Sequence, residues 1–264
     1  MDAQSRMSFE ELAAQAEAAP FEGWDLAWID GRWWEESPPW DYGDIARALL
    51  RSCRRVLDMG TGGGEFLLSL RDDLPEFMLA TEAYPPNIDL ARSRLAPLGV
   101  AVVGIPEASL HHIPSQDEVY RLPAADGSLD VVLCRHESFD ASEVARVLRR
   151  GGTVLTQQVG ARNFAGLNER FGVPPSYPDW TLRTARTQIE AAGLTVRRAE
   201  EWVGDAGFRD VGALVYYLRA VPWQAAGVAP ERMDAELRRM HEEMAAGRPL
   251  HLETDRFLLV AEKS

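Results

Sequence analysis

Three strand-end clusters carry the side chains best suited to chemistry. The first is Val56-Leu57-Asp58-Met59 followed by Gly60-Thr61-Gly62-Gly63-Gly64, an apolar run that opens into a glycine turn. Glycines after a first strand let the backbone approach a ligand where a β-carbon would clash. A dinucleotide site favours the spacing G-x-G-x-x-G, with pyrophosphate on the next helix. Here Gly60, Gly62 and Gly64 are spaced G-x-G-x-G, and Asp58 stands beside them. That acid opposes a phosphate and suits a cofactor bearing an ammonium group. The second cluster is Glu82, which ends the apolar run Phe77 to Glu82, where a carboxylate can accept the hydroxyls of an adenosine ribose. The third is Arg135-His136-Glu137, directly after Leu129 to Cys134, at the kind of strand end where open α/β sheets bind ligands.

Elements of fixed order must position these groups. Ser8 and Glu11 form a capping box for a helix from Phe9 to Ala19, ended by Pro20. Strands are expected at 56–59, 77–82, 100–103, 129–134, 153–159, 195–203 and 257–261. Helices are expected at 65–70, 86–98, 141–148, 180–192 and 230–246, several stopped by glycine. Strands alternating with helices predict an α/β fold, a doubly wound and mostly parallel sheet of Rossmann-like form, with an N-terminal helical and aromatic cap. Five of the eight tryptophans fall between Trp24 and Trp40. That stretch reads either as a tail packed on the body or as a lid over an organic substrate or a cationic cofactor.

Bulk composition narrows the function classes. The chain has 264 residues, 41 acidic against 28 basic, and a net charge of −13. Nucleic-acid binders carry a basic footprint, so this balance argues against a polynucleotide partner. Two cysteines, Cys53 and Cys134, exclude a disulfide framework or a four-thiolate zinc site. His111 and His112 are adjacent and chelate poorly, and Ala245 replaces the second histidine that a zinc helix from His241 would need. No metal site is expected. No apolar run reaches membrane-spanning length, so a cytoplasmic protein without a membrane partner is expected.

Together, Asp58 to Gly64, Glu82, Leu122-Pro123 before Leu129-Asp130-Val131-Val132, and Val147 to Thr153 resemble the class I S-adenosylmethionine-dependent methyltransferases. The similarity spans roughly residues 50–160. Trp180 to Gly193 and Gly212 to Gln224 resemble a bacterial branch of that family. The resemblance implies one domain over 1–264, with a cap or lid at 1–50, a cofactor core at 51–162 and a substrate-side part at 163–264. It implies S-adenosyl-L-methionine as cofactor, held by Asp58, Gly60, Gly62, Gly64, Glu82, Ala83 and Arg135. An acid near the adenine amine is also implied, Asp117 or Glu118, with Asp117 preferred.

In such enzymes the position after the fourth strand faces the transferred methyl. His136 is then the candidate general base with Glu137 orienting it, or else a side chain that satisfies the strand-end backbone. Trp40, Tyr42, Arg162 and Tyr216 are the candidate substrate-binding residues. The expected reaction is methyl transfer to the oxygen or nitrogen, with carbon left open, of a small, neutral or cationic, partly apolar acceptor. The rival readings are RNA guanine methylation and a non-catalytic cofactor-binding protein.

Overall fold

The computed structural model describes residues 7–105 and 121–264. Its centre is an eight-stranded sheet in the order β1-β7-β8-β6-β5-β2-β3-β4. The strands are β1 (Trp33–Glu35), β2 (Arg55–Met59), β3 (Phe77–Glu82), β4 (Ala101–Gly104), β5 (Leu129–Arg135), β6 (Leu148–Val159), β7 (Leu194–Phe208) and β8 (Leu250–Lys263). β4, β3, β2, β5 and β6 run parallel, while β8, β7 and β1 add antiparallel. Strand order reverses at the β2–β5 neighbourhood, and the carboxyl ends there form the crevice in which such sheets bind ligands.

Burial on both faces explains the continuous apolar strands. On one face, α2 (Tyr42–Leu50), α3 (Glu65–Ser69) and α4 (Pro85–Leu95) pack over Val56, Met78, Ala80, Val131 and Leu133. On the other, α5 (Ala141–Val147) and α7 (Leu182–Ala191) cover Leu57, Leu79, Val132, Val154, Phe257 and Leu259. A third cluster joins α1 (Phe9–Ala18), α6 (Ala165–Phe171), α8 (Val211–Ala220) and α9 (Pro230–Ala245) with Phe208, Leu250 and Leu252. β8 is antiparallel to β6, with Arg256 opposite Val159, so this helical layer stands beyond the carboxyl ends of the parallel strands.

The Ser8–Glu11 capping box forms as read. Several elements depart from expectation: β7 and β8 run longer than read, and three others were not foreseen. β1 is a three-residue edge strand on the end of β7, inside the tryptophan-rich stretch. α6 and α8 were not anticipated: α6 is short, and α8 is apolar on most sides and lies inside the third cluster, so it lacks an amphipathic stripe. No helix of the described residues is long and apolar enough to cross a membrane.

Candidate active site

The glycine turn is built as a cradle. Gly60, Gly62 and Gly64 adopt φ of 65°, 60° and 88°, the left-handed region that a side chain disfavours. The turn is tied to β3 by the Thr61 amide, which donates to the Thr81 carbonyl at 2.9 Å. Its close neighbours are side chains. A β-carbon on Gly60 would lie 2.6 Å from the Glu137 side chain, and one on Gly62 would lie 2.7 Å from Trp24 Cδ1.

Glu82 binds this turn through backbone. Its Oε2 accepts from the Gly62 amide at 2.6 Å, and its Oε1 accepts from the amides of Ala83 and Tyr84, each at 2.9 Å. Oε1 is thereby filled, while Oε2 keeps a second lone pair. Asp58 is almost fully buried. Burial pushes its carboxyl up to about 7, with Glu82 adding repulsion and the Thr61 hydroxyl and Arg135 opposing. Burial also pushes Glu137 up to about 7, again with repulsion from Glu82 and with Ser138 opposing. Three carboxyl groups therefore surround Gly60 to Gly62, two of them with pKa values raised by burial to about 7.

The end of β5 turns sharply at His136, whose φ of 60° is left-handed. Its amide donates to the Gln157 carbonyl at 2.8 Å, and its ring Nε2 lies 3.0 Å from Gln157 Nε2. The Oε1 of Gln157 accepts from the Trp40 indole at 2.7 Å. The residue as a whole is exposed, while protein crowds closely around its ring. That enclosure, with Arg256 and Arg135 nearby, holds its pKa well below the ordinary imidazole value. Arg135 lies over the rings of Tyr42 and Phe66, at 5.8 and 5.4 Å. Tyr42, at the start of α2 behind an Asp41 N-cap, is buried with its hydroxyl 3.4 Å from the Leu155 carbonyl.

Comparison with known proteins agrees with this crevice. Residues 57–156 match the family model described as a methyltransferase domain. The similarity to a class I methyltransferase domain thus rests on residues 57–156, the segment that builds the crevice. Over 124 residues it is 31% identical to the demethylmenaquinone methyltransferase of Deinococcus radiodurans, a match covering 44% of this chain and 47% of that protein. The chain thus spans about half the length of that curated relative. Among solved structures, the YcgJ protein of Bacillus subtilis superposes with a TM-score of 0.56 at 20% identity, over 84% of this chain and 97% of that one. A Bacillus halodurans protein designated a methyltransferase gives a TM-score of 0.56 at 17% identity, over 84% of this chain and 98% of that one. These two likenesses show the fold.

Within this fold, Asp58, Gly60, Gly62, Gly64, Glu82, Ala83, Arg135, His136 and Glu137 come together at the carboxyl ends of β2, β3 and β5. Asp117 and Glu118 lie outside the described residues. Trp40 and Tyr42 flank the crevice from the start of α2. Two other candidates are occupied elsewhere. Arg162 bonds to Asp255 at 3.1 Å and pairs with Glu201 at 3.0 Å, which ties the β6–α6 loop to β7 and β8. Tyr216 is 2% exposed, and its hydroxyl donates to the carbonyls of Pro20 and Asp25, 2.9 and 3.3 Å away. It is a strut under the N-terminal segment, with its ring against Trp28 and Phe21.

Most of the tryptophan-rich stretch packs on the body. Trp28 rests on Tyr216, Trp33 on Phe208, and Trp34 on His251. Trp24 differs, being 47% exposed while lying against Gly62 and edge-on to Trp223. Gln157 is a site residue that sequence reasoning missed. The adjacent amides Gln157 and Gln158 inside an apolar strand were the available signal for it. Trp24 was covered by the lid reading, but nothing in the sequence set it apart from the other four tryptophans of that stretch.

Proposed function

We propose that this protein transfers a methyl group from S-adenosyl-L-methionine to a small organic acceptor through oxygen or nitrogen. The observation that carries the reading is the convergence of Asp58, Glu82 and Glu137 on the left-handed turn Gly60 to Gly62. A cradle closed to β-carbons and ringed by carboxyl groups fits a cofactor with both an ammonium and a sulfonium charge. Glu82 Oε2 would hold a ribose hydroxyl with its remaining lone pair, and the Gly60–Gly64 backbone would border the methionine portion. Asp58 would face the positive charges, with the field of Glu137 behind the turn. When bound, the cofactor supplies a methyl group already activated on a cationic sulfur. The protein's task is then orientation, since a displacement gains most from holding the two reacting atoms in line.

The acceptor side is formed by Arg135, His136, Glu137 and Tyr42, with Trp40 behind them. The net charge of −13 disfavours a long polyanion, which supports a small acceptor over RNA. A relative named for demethylmenaquinone supports a small organic acceptor as well. The test is incubation with methyl-labelled S-adenosylmethionine and a panel of phenols, quinols, amines and purified ribosomal RNA. Label entering a small molecule supports the proposal. Label entering RNA, or none moving while the cofactor binds, overturns it.

A further inference from the structure

A hydrogen-bond chain fixes which nitrogen of His136 carries the proton. An indole N–H can only donate, so the 2.7 Å contact from Trp40 Nε1 must meet the carbonyl oxygen of Gln157. The Gln157 carboxamide is therefore not free to flip, and its NH₂ group faces His136. That NH₂ also can only donate, so His136 Nε2, 3.0 Å away, accepts with its lone pair. The proton of a neutral ring must then sit on Nδ1. Trp40 and Gln157 are both buried, and a second bond, from the His136 amide to the Gln157 carbonyl at 2.8 Å, fixes the pair. Among the described residues Nδ1 has no hydrogen-bond partner, and the residue is exposed at the end of β5.

The charges around the ring point the same way. Arg135 stands beside it against Tyr42 and Phe66. Arg256 also acts on the ring through its charge, with Nη1 donating to Asn163 at 2.7 Å and Nη2 paired to Glu35. Arg135 and an N–H donor make a lip that attracts oxygen, with Arg256 held in its own ion pair, whereas the turn opposite is lined with carboxyl groups.

We propose that His136 acts as a hydrogen-bond donor through Nδ1–H to an oxygen of the acceptor, with Trp40 and Gln157 as positioning residues that set this tautomer, so that the acceptor is a small phenol or enol held as its oxyanion, its own proton having passed to solvent before the methyl transfers. This rests on the methyl-transfer reading and narrows its acceptor class. It gives His136 a role other than that of a base, because the nitrogen able to accept a proton is already occupied by Gln157.

The test begins with the free protein, labelled with ¹⁵N-histidine, with His136 assigned by comparison with His136→Phe. Long-range nitrogen–carbon-proton spectra between pH 6 and 8 are expected to show a protonated Nδ1 and an unprotonated Nε2. A protonated Nε2, or an imidazolium over that range, overturns the tautomer. Gln157→Glu presents a carboxylate instead of an amide, so it should move the proton to Nε2 and raise the ring pKa by about one unit or more. An unchanged ring in Gln157→Glu would contradict the positioning role.

The acceptor class is read by titrating 1-naphthol and 1-aminonaphthalene into protein saturated with S-adenosylhomocysteine. The naphthol should bind about 10-fold more tightly, a difference of about 1.4 kcal/mol. His136→Phe and Gln157→Glu should erase that preference. Equal affinities, or no naphthol binding, overturn the acceptor class. If S-adenosylhomocysteine itself fails to bind, the methyl-transfer reading falls, while the ring spectra still decide the tautomer.

Discussion

The Gly62 amide donates to Glu82 Oε2 across 2.6 Å, so the acid at the end of β3 holds the turn at the end of β2. One side chain thus shapes the cradle and offers a lone pair to a ligand. Glu82→Ala leaves three backbone amides to find water or remain unpaired, at a cost of about 2 kcal/mol. Thermal unfolding should register that loss, and S-adenosylmethionine affinity should fall about tenfold or more.

Gly62→Ala tests the cradle separately. A β-carbon there meets the Trp24 ring at 2.7 Å, and a left-handed φ of 60° costs a non-glycine residue roughly 1–2 kcal/mol. The variant should keep its circular dichroism spectrum and lose cofactor binding in a calorimetric titration. Retained binding would place the cofactor away from this turn.

The buried carboxyl groups make stability depend on pH in a defined sense. Asp58 and Glu137 each titrate at about 7 in the folded chain, above their ordinary values of 3.8 and 4.5. Their contribution to stability is complete below about pH 4 and is lost as pH rises through about 7. His136, displaced downward, works in the opposite sense and loses its contribution as pH falls below 6.5. Urea unfolding of the wild type and Asp58→Asn isolates the Asp58 share. The asparagine variant should gain on the wild type as pH rises from 5 to 8, by on the order of 3 kcal/mol. A constant difference across that range would contradict the burial of Asp58 as a proton-binding group.

How much of this was legible in the sequence follows from how local each feature is. The capping box, the glycine turn and the acid closing β3 are short-range patterns, and each appears where the residues announced it. The acceptor lip needed pairing information. Gln157 reaches His136 because β5 and β6 set Arg135 opposite Gln157, a register that no local pattern carries. Trp24 reaches Gly62 by folding the N-terminal segment across the crevice. Tyr216 was misleading for a similar reason: an aromatic residue with a polar tip fits a pocket, but its hydroxyl is used by the Pro20 and Asp25 carbonyls. β7 was read too short because it continues to Phe208, through Gly204 and Gly207, as the partner of β8 and β1.

Tyr216→Phe distinguishes the strut from a substrate contact. Removal of the hydroxyl should cost about 1 kcal/mol in urea unfolding and leave acceptor turnover within twofold of wild type. A large rise in acceptor KM with unchanged stability would return Tyr216 to the acceptor site.

Trp24→Ala tests the aromatic cover on the turn. Because the side chain is 47% exposed, stability should change by less than about 1 kcal/mol. Cofactor affinity should fall about 3- to 10-fold if the indole face meets a positive charge. Stopped-flow dissociation of S-adenosylmethionine from both proteins gives the comparison.

The most direct test of the central claim compares S-adenosylmethionine with S-adenosylhomocysteine by calorimetry at pH 6 and pH 8. A crevice ringed by Asp58, Glu82 and Glu137 should bind both ligands. The preference for the sulfonium should grow at pH 8, where Asp58 and Glu137 are ionised, and should shrink in Asp58→Asn. A cooperatively folded protein that binds neither ligand at either pH would contradict the assignment of this site.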